Sequence, residues 1–302
     1  MVALPEVDGI ISLALAEDFG VQPARFLTDE DPSLLARDVT SWSVIQETQG
    51  FSGQIVARTG GVVCGLPIAV RVWETLARAV GRAGSVQCAL LVEEGARVTS
   101  GDAVLRVTGP ARIVLAGERT ALDFVMVLSG IASEADRWQS EAGPGLRVHD
   151  TRKTVPGLRA LSKYAVLVGG AHNHRMGLWD MALIKDNHLA RAGGVTFAIE
   201  AARQANPSIA VEVEVETYGQ AIEAAMAGAD FIMLDNMDDT LVRRAVTGIR
   251  AESARSGREC TIEVSGTVTF DRLKALADTG ADMVSSSAIA LARPLDFGLD
   301  EG

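Results

Sequence analysis

The sequence predicts an α/β protein in two parts: a small module with a mainly antiparallel sheet, then a run of parallel βα units. The second part is announced by six short apolar runs separated by helical patterns at the spacing of βα repeats. The first part instead has short β-type runs broken by turn signals and flanked by helical stretches. An internal echo supports the repeat reading. Ala227-Gly-Ala-Asp-Phe-Ile-Met and Thr279-Gly-Ala-Asp-Met-Val-Ser both read as a helix C-cap glycine leading into a buried strand.

Taken in order, the opening MVALPEVDGIISLALAEDFG has acids where a signal peptide needs bases. Its apolar run is too short and too interrupted to span a membrane, so it predicts an amphipathic helix ending near Gly20. Residues 28–43 are polar and loop-like. Strands are expected over 53–58, 61–65, 85–92 and 103–107, with a helix over 68–80 and a turn at Ser100-Gly101-Asp102. A long helical pattern then covers 111–142, with a break allowed near Gly130.

The parallel strands are expected at 146–149, 182–184, 209–215, 231–234, 261–264 and 283–285. The intervening helices are expected at 156–168, 196–205, 217–227, 239–253 and 270–278. In an α/β barrel the C-terminal strand ends converge on one mouth, where the chemistry sits. Six repeats suggest a barrel smaller or more open than the eight-stranded form. A doubly wound open sheet is the alternative, and it would spread the same residues along a crevice.

Composition narrows the partners. The 302 residues are 48% hydrophobic and only 5% aromatic, so the core is aliphatic. A formal charge of -11 argues against broad nucleic-acid or anionic-membrane binding. Cys64, Cys88 and Cys260 make no metal-ligand spacing and read as reduced thiols, with a cytoplasmic location as the expectation.

Against that acidic background, all four histidines (149, 172, 174 and 188) fall in one 40-residue window. The window also holds Arg152, Lys153, Arg159, Lys163, Arg175 and Lys185. Several of these cations bracket expected strand ends, which points to a site for a small, multiply anionic substrate. Arg159 and Lys163, spaced i, i+4, read as an exposed helix face instead. Arginine is the natural bidentate partner of carboxylates and phosphates. Glu212, Glu214 and Glu216 alternate along one strand and so share a side. With Asp235 they suit Mg²⁺, a hard cation often held by one or two carboxylates plus substrate phosphates, or else they compensate the nearby cations. Ser265-Gly266-Thr267, between a strand and a helix, is a candidate phosphate cradle.

These residues carry a family resemblance. Asp150-Thr-Arg-Lys-Thr-Val-Pro-Gly-Leu-Arg, Asn173-His-Arg-Met-Gly-Leu, Leu183-Ile-Lys-Asp-Asn-His188, Glu212-Val-Glu-Val-Glu and Leu234-Asp-Asn-Met closely resemble quinolinate phosphoribosyltransferase. The likeness covers nearly the whole chain, from Glu17-Asp18-Phe-Gly to Ser265-Gly. It implies an N-terminal α/β sandwich over 1–117, whose first helix is able to pack on the barrel, and an incomplete six- or seven-stranded α/β barrel over 118–302. It implies a homodimer with shared active sites, or a higher oligomer. Quinolinate and phosphoribosyl pyrophosphate would be the substrates, with Mg²⁺ as cofactor, and nicotinate mononucleotide, pyrophosphate and CO2 the products.

By the same resemblance, Thr151, Arg152, His174, Arg175 and Lys185 hold the dicarboxylate, and Arg119 reaches in from a second subunit. On its own, Arg119 also reads as an i, i+4 partner of Asp123. Lys153 lies at the reacting centre. Glu214 and Asp235 bind the ribose hydroxyls and Mg²⁺, and Ser265, Gly266, Thr267 and Ser287 form the phosphate loops. The chain departs from the family pattern at 287–291, where a histidine is usual and the sequence reads Ser-Ala-Ile-Ala-Leu, and at Asp123 and Thr267. A sibling enzyme for another aromatic carboxylate, and a non-catalytic carboxylate-binding homologue, are the alternatives these departures leave open.

Overall fold

An acid at its start and a glycine at its end frame the first helix. Helix α1, Asp8–Phe19, has Asp8 in its first turn and stops where Gly20 turns left-handed at φ 61°. Its buried residues, Ile11, Ser12, Leu15, Ala16 and Phe19, recur at helical spacing, but the outer face carries an exposed Leu13, so the helix is apolar on both sides and not the amphipathic segment expected. The structure is a computed structural model describing residues 2–28 and 30–302.

Along the chain follow α2 Val39–Val44, β1 Gly50–Ala57, β2 Gly61–Val62, α3 Leu66–Ala79, β3 Gln87–Leu90, β4 Arg97–Val98, β5 Ala103–Pro110 and α4 Ala111–Ala142. After them come β6 Arg147–His149, α5 Arg159–Val168, β7 Ala182–Ile184, α6 Asp186–Ala192, α7 Val195–Ala205, β8 Val211–Val215 and α8 Tyr218–Ala227. The last elements are β9 Phe231–Asp235, α9 Asp239–Ser256, β10 Thr261–Ser265, α10 Leu273–Ala277, β11 Met283–Ser285 and β12 Phe297–Glu301.

Two compact units result. The first comprises residues 1–134, 155–169 and 291–302, and the second residues 135–154 and 170–290. The expected division at 117/118 falls inside α4. The first unit also takes in α5 and the C-terminal segment, both distant in sequence.

In the first unit an antiparallel sheet runs in the order β12-β1-β5-β3, and β2 pairs with β4. Strand β12 has no counterpart in the sequence expectations. Its register is set by β1, more than 200 residues away, with Ile55 opposite Leu299. Helices α3 and α4 meet at Trp73, which is fully buried and donates its indole N–H to the Val114 carbonyl at 3.0 Å. Helix α4 runs unbroken for 32 residues. Gly130 serves a close approach within it and does not break it: a Cβ there would stand 2.2 Å from the Arg293 carbonyl oxygen. Lys163 corrects the surface reading given to Arg159 and Lys163. It is 1% exposed, because α5 buries Leu161 through Val166 on almost all sides.

In the second unit six parallel strands run in the order β6-β11-β10-β9-β8-β7, with β6 and β7 left unpaired to each other. A parallel bridge between His149 and His172 adds a seventh, strand-like segment beside β6. Val211, Val213 and Val215 of β8 are fully buried on one face, while Glu212 and Glu214 turn to the other. Of the two glycine caps foreseen in the internal echo, Gly228 (φ 79°) closes α8, whereas α10 is closed by Asp278 and Gly280 (φ 81°) turns the chain just beyond it, ahead of β11. The C-terminal ends of all six strands contribute to one cavity, the convergence expected of a sheet curled into an open barrel.

Candidate active site

The cavity at the strand ends measures about 700 Å³. Thr151, Arg152 and Lys153 follow β6; His174 and Arg175 come from the loop after the His172 bridge; Lys185 follows β7. Glu214 enters from β8, Asp235 from β9, and Ser265, Gly266 and Thr267 from the end of β10. The structure thus gathers eleven of the residues singled out in the sequence. Ser287 is half-buried and does not line the cavity; Ser285, the last residue of β11, does. Arg119 lies in the other unit, on α4, side chain 60% exposed and 3.4 Å from Asp123.

The cations are held where an anion would need them. The Arg175 guanidinium donates to the Met181 carbonyl at 3.0 Å, which fixes its fork. Partial burial and the charge of Arg152 both push Arg175 below the ordinary arginine range, opposed by Glu212 and Asp180. Two guanidiniums that destabilise each other in a recess are relieved by a carboxylate between them. The following turn is clamped by Asp180, whose carboxylate accepts from the amides of Met176 (2.6 Å) and Gly177 (3.0 Å). Lys185 Nζ forms an ion pair with Glu214 Oε2.

His174 is tied from three directions. Its amide donates to Asp150 Oδ1 at 2.9 Å, and Asp150 is itself fully buried at the end of β6. Its Nδ1 accepts from the Arg175 amide at 2.7 Å. Its Nε2 stands 3.1 Å from Glu212 Oε2 and 3.2 Å from Glu263 Oε2, both carboxylates being fully buried. One N–H set between two oxygens lies in line with neither, so these oxygens have no well-aligned hydrogen bond. Burial works against a charged ring, but Glu212 and Glu263 outweigh it and hold the imidazole pKa up to about 10. A second proton would cost the Arg175 amide its acceptor at Nδ1, so the two carboxylates and that backbone hydrogen bond pull the ring in opposite directions. Glu263 is pushed up by burial and by the Glu212 charge, against the pull of His174 and Ser285. These three side chains are also the group that meets metal-ligand spacing among the described residues. Their separations equally suit an imidazole N–H shared by two carboxylates.

The opposite wall is built on backbone geometry. Gly266 has φ 85°, and a Cβ on it would fall 2.4 Å from Asn236 Oδ1. Asn236 has φ 54°, the one positive value outside glycine among the described residues. Its Nδ2 donates to Asp235 Oδ2 at 2.7 Å and its Oδ1 accepts from the Thr267 amide at 3.1 Å. Asn236 therefore stitches the end of β9 to the turn after β10. It was absent from the sequence-derived site, although asparagine is the residue most tolerant of a left-handed backbone after glycine. Glu263 was missed as a site residue because only the fold brings it beneath the cavity.

Comparison with known proteins agrees with the geometry. The family model described as quinolinate phosphoribosyl transferase, C-terminal domain, matches residues 131–300, and that of the N-terminal domain matches residues 38–129. A probable nicotinate-nucleotide pyrophosphorylase [carboxylating] of Synechocystis sp. is 42% identical over 264 residues, covering 84% of this chain and 85% of that protein. The nicotinate-nucleotide pyrophosphorylase [carboxylating] of Mycobacterium leprae is 38% identical, covering 87% of this chain and 90% of that one. The crystal structure of NadC from Streptococcus pyogenes superimposes with a TM-score of 0.85 at 34% identity, over 97% of this chain and 95% of that one. The two domain matches and these relatives converge on one assignment: this chain belongs to the quinolinate phosphoribosyltransferase family.

Proposed function

We propose that the protein transfers a phosphoribosyl group from phosphoribosyl pyrophosphate to quinolinate with decarboxylation, yielding nicotinate mononucleotide, pyrophosphate and CO2 for NAD biosynthesis. The observation that carries this reading is one cavity holding Arg152, Lys153, Arg175 and Lys185 on one side and Glu214, Asp235 and the Ser265–Thr267 turn on the other. Such a cavity suits two polyanions joined by a hydroxyl-rich sugar.

The chemistry needs no nucleophilic side chain. The pyridine nitrogen forms a bond to C1′ as the C1′–oxygen bond to pyrophosphate breaks and its electron pair leaves with pyrophosphate. The bond from C2 to its carboxylate then breaks, the pair staying on C2, where the adjacent ring cation stabilises it until a proton is taken up. Holding both substrates in line and neutralising their charge supplies the rate gain. Thr151, Arg152, His174, Arg175 and Lys185 bind the dicarboxylate. Lys153 sits at the transfer centre, and Ser265, Gly266 and Thr267 receive the 5′-phosphate. Ser285, in place of Ser287, closes that end of the cavity.

Glu214 and Asp235 offer the hard oxygens that Mg²⁺ prefers, and both face the cavity, so the residues fit the ion. When bound, Mg²⁺ neutralises charge on the departing pyrophosphate. Glu214 is paired with Lys185, so the same carboxylate that would hold the ion also anchors an ammonium assigned to the dicarboxylate. The protein works as a homodimer in which Arg119 of a second copy completes each site. A cytoplasmic location belongs to the same reading and suits three cysteines that are all free thiols. No helix among the described residues is long and apolar enough to cross a membrane.

The test is pyrophosphate release by the purified protein with Mg²⁺, donor and a panel of aromatic carboxylates. Quinolinate is expected to be the best acceptor. Release with another acid and little with quinolinate, or no release at all, overturns the assignment.

A further inference from the structure

Beneath the cavity, a buried side chain touches the supports of both proposed subsites. Glu263 lies on β10 with its side chain fully buried. Its Oε2 stands 3.2 Å from His174 Nε2, on the dicarboxylate side. Its Oε1 accepts from the Ser285 hydroxyl, and Ser285 Oγ is 3.0 Å from the hydroxyl of Ser265, the first residue of the phosphate turn. One carboxylate thus joins the two ends of the site through two hydrogen-bonding steps. Glu212, equally buried, stands against His174 and has no hydrogen bond to either serine.

We propose that Glu263 is a positioning residue that couples occupancy of the dicarboxylate subsite to occupancy of the phosphate subsite. The proposal rests on the functional reading above for what occupies each end. The physical reason is a shortage of protons. The Ser285 hydroxyl has a single hydrogen and two acceptors within reach, Glu263 Oε1 and Ser265 Oγ. While it serves Glu263, the Ser265 hydroxyl is left to donate inward, towards Ser285. A phosphate that draws the Ser265 hydrogen outward leaves Ser265 Oγ as an acceptor competing for the Ser285 hydrogen. As Ser285 turns, Glu263 Oε1 loses its donor and the carboxylate leans on His174 alone. His174 is then held more firmly at the floor of the dicarboxylate subsite. The reverse path runs from a bound dicarboxylate through His174 to Ser265, since coupling between two binding sites is reciprocal. Glu263 and the Ser285 side chain are buried, so which partner the Ser285 hydrogen serves matters energetically there, while Ser265 faces the cavity where the phosphate arrives.

The test is a binding cycle on the intact protein with phthalate, which carries the two adjacent carboxylates but lacks the ring nitrogen and so does not react. The Kd of phosphoribosyl pyrophosphate is measured by calorimetry with and without saturating phthalate. Wild-type protein is expected to bind the donor about fivefold or more tighter when phthalate is present, the lower range of ordinary allosteric coupling. Glu263→Gln and Ser285→Ala are each expected to bring that ratio close to one. Ser285→Ala removes only a hydroxyl, so it keeps the test informative should the glutamate variant fold poorly. Glu212→Gln is expected to weaken phthalate binding while leaving the ratio at its wild-type value, a separation that general loosening of the site does not produce. A wild-type ratio of one, or a ratio retained in Ser285→Ala, overturns the proposal. Either result leaves the assigned activity standing provided quinolinate is turned over, so the two claims fail separately.

Discussion

Arg175 and His149 show how differently two cavity-region residues spend their charge. Arg175 keeps a like-charged neighbour, Arg152, beside it in a partly buried recess, an arrangement made favourable by a bound dianion. Arg175→Ala is expected to raise the KM for quinolinate about thirtyfold or more, because removing one partner of a desolvated charge pair costs roughly 2–5 kcal/mol. Arg175→Lys recovers little of this, since an ammonium lacks the bidentate fork. Steady-state kinetics with the acid varied checks both. His149 is the opposite case. Burial, then the charge of His172 at 5.3 Å, pushes its pKa down to about 3, and its Nε2 has no hydrogen-bond partner. The unfolded chain takes up a proton near pH 6.5, while the folded chain stays neutral to about pH 3. Folding stability therefore falls as pH drops through that window, with His149 adding at most about 1.4 kcal/mol per pH unit. Denaturant melts between pH 7 and 4 are expected to show a shallower acid loss in His149→Gln than in wild type.

Elements differ in how far their own residues announce them. The parallel strands and their helices were legible because each buries a continuous apolar run and ends at a glycine or a polar switch, as α8 does at Gly228. Strand β12 was not, because Phe-Gly-Leu-Asp-Glu has no strand pattern of its own and is ordered by pairing with β1. In the same way, the sequence pointed to Lys185, Glu214 and the Ser265 turn, which sit at strand ends. It did not point to Glu263, whose importance comes from what lies across the barrel interior. Gly130 is an instructive error. A glycine in a helical pattern suggests a break, yet α4 is continuous through it and the residue is there for closeness to the Arg293 backbone. Gly130→Ala is expected to lose about 1–3 kcal/mol of stability by overpacking, despite alanine's better helix propensity. Equilibrium unfolding checks the sign: a stabilised variant would mean the approach to Arg293 is looser than described.

At the scale of the whole molecule, the cavity is assembled from one unit, and Arg119 lies exposed on the other, paired at the surface with Asp123. If a second copy supplies that arginine, two inactive variants should rescue each other. Mixing Arg119→Ala with Lys153→Ala under subunit exchange is expected to restore about a quarter of wild-type activity, since half of randomly paired dimers carry one intact site of two. No rescue, with exchange verified, would place Arg119 outside the site. The coupling of transfer to decarboxylation in this one cavity is the central requirement of the assigned activity. Its most direct test uses quinolinate labelled in the 2-carboxylate, with donor and Mg²⁺, following released CO2 and pyrophosphate together. The expected result is one CO2 for each pyrophosphate, with neither formed when quinolinate or donor is omitted. Pyrophosphate released without labelled CO2, or neither product from folded protein, would contradict it.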